Sequence, residues 1–123
     1  MSKANPQFSH PGRAAYELPK LLKNLGDLDR TAKLSEEQYN TVDAIVSHAW
    51  GAVETIASGL ESIGALMGIA GNGDEAVPGK HVAALGDLIT HLAVELQHLH
   101  EIETDMASTL QSSGNRQVAR RPN

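Results

Sequence analysis

The chain contains no cysteine, which excludes disulfides, thiolate catalysis and cysteine-based zinc sites together. Aromatic residues are nearly as scarce, with one Trp, two Tyr and one Phe in 123 residues, so any core must be aliphatic. No sustained period-2 run rich in Val, Thr, Tyr or Phe occurs, and strands therefore have no signal. Behind Met1-Ser2-Lys3-Ala4-Asn5-Pro6 there is no apolar stretch of a signal peptide. The most apolar window, Ile56 to Ala70, is about fifteen residues and includes Glu61, whereas a bilayer span needs roughly twenty. The expectation is a soluble, unexported, cytoplasmic chain with no membrane partner. Positive charge is also short: the net charge is -5 and the pI about 5.6, which argues against general attraction to nucleic acid or anionic lipid. Nucleophile-elbow, phosphate-loop and dinucleotide patterns are missing as well. Gly71-Asn72-Gly73 has no strand before it and no suitably placed lysine, and reads as a turn. No enzyme activity and no cofactor are expected.

What is present is helical periodicity. Tyr39, Val42, Val46, Ala49, Val53, Ile56, Leu60, Ile63, Met67 and Ala70 alternate spacings of 3 and 4 without a miss, the a/d seam of one long amphipathic helix. Ser35-Glu36-Glu37-Gln38 opens it as a capping box, and the two glutamates suit the positive end of the helix dipole. Gly71 is placed for a left-handed C′ residue, and Pro78 for the first position of the next helix. That helix carries Val82, Leu85, Ile89, Leu92, Leu96, Leu99, a polar break at Glu103, then Met106 and Leu110. Two helices of similar length joined by a short loop make an antiparallel hairpin.

The chain thus divides into a disordered N-terminal arm over 1–13, a helical hairpin domain over 14–110 and a flexible basic tail over 111–123. Helices are expected at about 18–28, 36–70 and 79–110. The first has Leu18, Leu21, Leu22, Leu25 and Leu28 on one face, Pro19 in its first turn and Gly26 weakening its end.

The hairpin's apolar face is wider than two helices can bury against each other. Beside the seam stand Ile45, Ala52, Gly59 and Leu66 on one side and Trp50, Ala57 and Gly64 on the other; Leu88 and Ile102, then Gly86, Ala93 and Ala107, do the same on the second helix. Two hairpins forming a two-fold four-helix bundle would cover it. The expected dimer interface is Val46, Ala49, Trp50, Val53, Ile56, Leu60, Ile63, Ile89, Leu92, Leu96 and Leu99. The alternative is that the short leucine-rich helix covers the face within one chain.

Three side chains could carry metal chemistry. Glu95-Leu96-Gln97-His98 is an E-x-x-H pair of the kind used in di-metal carboxylate bundles, but in this register His98 and the companion acids Glu54 and Glu61 fall on outer rows, and only Glu95 flanks the core. His91, Glu95 and His98 at i, i+4 and i+7 share one side of a helix and could make a surface site for zinc or nickel, given a fourth ligand. The bland reading, solvated polar-face residues, carries more weight. Glu103 in an apolar row either pairs with a cation or reaches water. Arg116, Arg120 and Arg121 make a weak phosphate footprint.

Trp50-Gly51 has no intervening residue and lies mid-helix, which sets the chain apart from the secreted WXG-type hairpins; no family is identified at motif level. The expected protein is all-α: a short helix and a long antiparallel hairpin, dimerising into a four-helix bundle. The expected function is non-catalytic interaction or regulation with an unknown protein partner. A metal-binding bundle using Glu95, His98 and His91 is the runner-up, and blocking of another macromolecule by surface mimicry the third reading.

Overall fold

A computed structural model describes residues 5–28, 33–73 and 76–120, with the side chains of Pro11 and of residues 114–120 left aside. The described chain is all-helical, with three α-helices and no strand. They are α1 (Ala14–Leu25), α2 (Glu36–Gly71) and α3 (Gly79–Arg120), preceded by a single 3-10 turn at Pro11–Arg13.

Helix α2 starts where the capping box places it. The Gln38 backbone N–H donates to Ser35 Oγ at 3.1 Å, and the Ser35 N–H donates to Gln38 Oε1 at 2.9 Å, so each end of the box satisfies an orphan donor of the other. Its far end differs from the expectation. Gly71 is the last helical residue and has no left-handed conformation; Asn72 closes the helix at φ −97°, its N–H shared between the carbonyls of Gly68 and Ile69. Pro78 acts one position earlier than expected, since its carbonyl accepts from His81 and Val82 and makes it the cap rather than the first turn of α3.

Helix α1 begins at Ala14, four residues before the first leucine of its stripe, so Pro19 sits inside it rather than in its first turn. It ends at Leu25 because Gly26 takes φ +61°, a backbone region closed to side chains with a Cβ, and from there donates to the Leu22 carbonyl. The expected extension to Leu28 is stopped by that turn.

Of the segments expected as a disordered arm (1–13) and a flexible tail (111–123), residues 5–13 and 111–120 are described, and 1–4 and 121–123 lie outside the described residues. Residues 5–8 form a strap on α2: Asn5 Nδ2 donates to the Asn40 carbonyl and to Asp43 Oδ2, both at 2.8 Å. The Thr41 hydroxyl lies 2.7 Å from Gln7 Oε1 and 3.0 Å from the Glu37 carbonyl. Composition rich in Pro, Ser and Asn signals low apolar content, yet here amide side chains supply the anchoring. At the other end α3 continues past Leu110 to Arg120. Thr109 and Ser113 prolong the buried row of Leu99 and Met106, but as polar residues they hide the continuation from a hydrophobicity pattern.

The core lies at one end of the hairpin. Ala14, Leu18 and Leu21 of α1, Val42, Ile45 and Ala49 of α2, and Leu99 and Met106 of α3 are buried together. Helix α1 runs antiparallel to α2: Ala14 and Leu18 share a groove with Ala52 and Ile56, whereas Leu21 and Leu25 lie beside Gln38 and Thr41. At the base α1 packs against α2, with a groove between it and α3, and beyond Ile56 the described hairpin is two helices only. At 1.5 Å per residue, α2 over 57–71 projects about 22 Å past the last cover that α1 provides.

Candidate interaction surface

The projecting half exposes what the base buries. Along one row of α2, seven residues apart, Ile45 is fully buried and Ala52 partly so, whereas Leu66 is 65% exposed. On the adjacent row Thr41 and His48 are buried while Ile69 is 70% exposed. Helix α3 repeats the gradient, from Thr109 at 6% to Leu88 at 44%. The same face is thus sealed by α1 at the base and open at the tip.

Two hollows mark this face. One, of about 380 Å³, lies between α1 and α3 at the point where α1 stops covering the hairpin, with Ala14, Ala15, Leu18, Ala52 and Ile56 in its walls and Glu95 and His98 at its edge. The other, of about 560 Å³, is at the tip, between Leu66, Met67, Val77, Val82 and Leu85. Charge is sparse here: residues 57–71 and 79–95 carry Glu61, Lys80, Asp87 and Glu95 and no other Asp, Glu, Lys or Arg. Gly59, Gly64 and Gly68 stand on open surface, where an added Cβ would meet nothing within 4 Å.

The expected interface residues divide accordingly. Ala49 and Leu99 are buried inside the single chain, and Val46, Val53 and Ile56 pack against its core. Leu60, Ile63, Ile89, Leu92 and Leu96 are half-buried along the projecting arm. Trp50, 55% exposed, lies apart, beside a shallow hollow with Phe8, Val46 and Ser47.

The three metal candidates do not converge. His91 Nε2 lies 3.5 Å from Glu95 Oε2 on the exposed side of α3, while His98 borders the α1 groove with Glu95. Among the described residues no three His, Asp or Glu side chains gather to hold an ion. Glu103 faces His100 Nδ1 at 3.5 Å on its own helix. Glu95→Ala combined with His98→Ala is expected to leave metal content and melting temperature unchanged, as elemental analysis and a thermal scan would report.

His48 is the residue that sequence reasoning passes over. The heptad assignment puts it on an outer row, but the strap covers that row: its ring is fully buried, 4.8 Å from the Phe8 ring, and neither imidazole nitrogen has a hydrogen-bond partner. Desolvation lowers its pKa from 6.5, opposed by the charge of Glu17. A base held neutral by burial binds its proton less readily folded than unfolded, so its effect has one sign: stability is full above about pH 6.5 and is lost as pH falls below it, towards the folded pKa. The slope is at most about 1.4 kcal/mol per pH unit for one proton. His48→Leu should remove this slope and, by taking away a buried unpartnered polar group, leave the chain at least as stable at pH 7.5; urea midpoints at pH 7.5 and 5.5 test both points.

Helix α2 is, among the described residues, long and apolar enough by composition to cross a membrane. Compared with family models, curated proteins and solved structures, the chain finds no match.

Proposed function

We propose that this is a non-catalytic interaction protein that self-associates through the open half of its hairpin, two copies forming a two-fold four-helix bundle. The observation that carries this reading is the reversal of burial along single rows, from Ile45 to Leu66 and from Thr109 to Leu88. An apolar surface continuous with a packed core, and rimmed by few charges, is what an oligomer interface looks like before assembly. The sparse charge supports a second copy as the occupant, because like-charge repulsion between two projecting arms is small.

A membrane is a poorer fit for the same surface. The free part of α2 is about 22 Å long, shorter than the roughly 30 Å hydrocarbon layer, and α3 would carry Lys80, His81, Asp87, His91 and Glu95 into lipid beside it. The base of α2 is committed to the protein core. The reading is therefore of a cytoplasmic dimer whose acidic outer faces and α1 remain free for a further protein partner. From Glu36 to Gly71 there is no Lys or Arg at all, and α3 has only Lys80 before Arg116, so such a partner would be expected to be basic.

Light scattering on the purified chain, with elemental analysis of the same sample, tests the reading. A metal-free particle of twice 13.1 kDa supports it. A particle of 13.1 kDa in dilute solution removes it, and a stoichiometric transition metal would replace it with the metal-binding reading.

A further inference from the structure

Among the described residues His48 is the one fully buried side chain that can take up a proton, and its cover is slight. The strap is fastened to α2 through its own side chains. Asn5 reaches the Asn40 carbonyl and Asp43, Gln7 Nε2 donates to the Glu37 carbonyl at 3.4 Å, and the Phe8 ring lies against His48. Its backbone turns inward instead, the Phe8 N–H donating to the Asn5 carbonyl at 3.1 Å. Open space flanks it on both sides. Towards α1, Pro6, Gln7, Glu17, Lys20 and Thr41 line a polar hollow of about 810 Å³. On the other side Phe8, Ser47 and Trp50 line one of about 400 Å³. We infer that residues 5–8 are a pH-released latch: protonation of His48 lifts them from α2 while the three helices stay folded, and the two hollows become one groove. This inference does not rest on the self-association proposed above.

The neutral ring lacks partners but carries no charge. The protonated ring would hold two N–H donors and a positive charge where neither nitrogen meets an acceptor. The charged groups around it do not supply one. From α1, Glu17 attracts the ring from a distance but is paired with Arg13 at 3.4 Å, and Lys20 in the same hollow repels it. On α2, Asp43 is held by Asn5, and Glu37 lines the outer hollow. From α3, Glu95 and His98 border Ala52, one turn further along α2. The strap itself, Asn5-Pro6-Gln7-Phe8, has no charged residue. Loss of hydration outweighs the attraction of Glu17, so the charged ring is more stable in water than in place.

One of its covers must then yield, and the two are unequal. Helix α1 is committed to the core by Ala14, Leu18 and Leu21, all buried, whereas the strap brings only the partly buried Phe8. A short segment with one apolar anchor and no backbone bonds to its support opens locally before the helices do. Because only the open form binds the proton readily, the opening constant should rise up to about tenfold between pH 7.5 and 5.5. Coupling of this kind is reciprocal: whatever loosens the strap must also ease protonation of His48.

The absence of cysteine allows the latch to be read with one introduced thiol. Ala44 is fully buried between the turns of Thr41 and His48 that the strap spans, and Ser58 is exposed. In full-length chains, the rate at which dipyridyl disulfide labels Ala44→Cys, divided by that for Ser58→Cys, should rise up to about tenfold from pH 7.5 to 5.5. Helicity by circular dichroism should stay constant, and adding His48→Leu should flatten the ratio. Independently of any thiol, Asn5→Ala should move the NMR titration midpoint of the His48 ring upward, towards 6.5. A flat ratio in the chain that keeps His48, or the same rise with His48→Leu, overturns the latch. So does a loss of helicity in step with labelling, or a His48 midpoint that Asn5→Ala leaves in place.

Discussion

Ile45→Ala is expected to cost about 3 kcal/mol, within the usual range for deleting a buried aliphatic side chain. Ile45 has no exposed surface and lies in the cluster that joins α1, α2 and α3. The loss includes both the transfer of its methyl and methylene groups and the cavity left among Leu18, Leu21 and Leu99 if the three helices close only partly around it. For a chain of this length the melting temperature should fall by roughly 10 °C. The effect should be there at any protein concentration, since the residue is buried within one copy. Ile63→Ala, at a half-buried position of the arm, should cost less in dilute solution and more where the dimer is populated. Urea titration followed by circular dichroism, at two protein concentrations, separates the two. An equal cost for both variants at low concentration would mean that the arm is as firmly packed as the base.

Leu66→Glu together with Ile69→Glu should change assembly without changing the fold. Both side chains are mostly exposed in the single chain, so carboxylates there meet water and the helix keeps its hydrogen bonds. In the two-fold dimer the same change puts four charges into an apolar interface, where each loses its hydration. It also removes four large side chains whose burial is worth about 1.5–3 kcal/mol apiece. The scattering mass should fall to that of one chain, with helicity unchanged. Val94→Glu is the control: it is 63% exposed but lies on the far side of α3 from Leu92, and should leave the dimer in place. Dissociation by Val94→Glu, or indifference to the double change, would put the interface elsewhere.

The helices were legible because their signals are local. Ser35 and Gln38 announce one start, Gly71 to Gly73 mark the loop, and the seam of α2 is uninterrupted. The division of the hairpin into a covered base and an open arm was not legible, for a physical reason. A heptad row reads alike at Val42 and at Ile63, since both are apolar residues at helical spacing, and only the landing place of α1 distinguishes them. That place depends on the path between Leu25 and Ser35, part of which lies outside the described residues. The strap was missed because Asn5 and Gln7 hold α2 through side-chain amides, which carry no periodicity. His48 was passed over for the same reason: the cover arrives from a segment that shows no pattern of its own. The reach of α3 was underestimated because Thr109 and Ser113 occupy buried positions that the pattern expects to be aliphatic.

The placing of the core at the hairpin's base has a consequence for how the chain comes to be folded during synthesis. Leu18, Ile45 and Leu99 are distant in the chain, and the last members of the cluster, Leu99 and Met106, belong to α3. When α1 and α2 have left the ribosome they can pair, but the third wall of their core does not yet exist. The turn at the tip is made before that wall, and α3 then has to zip from the tip back to the base. Until Met106 emerges, the nascent chain displays the apolar faces of both its base and its arm. The interval in which it is most exposed to chance association therefore lasts until Leu99 and Met106 have emerged.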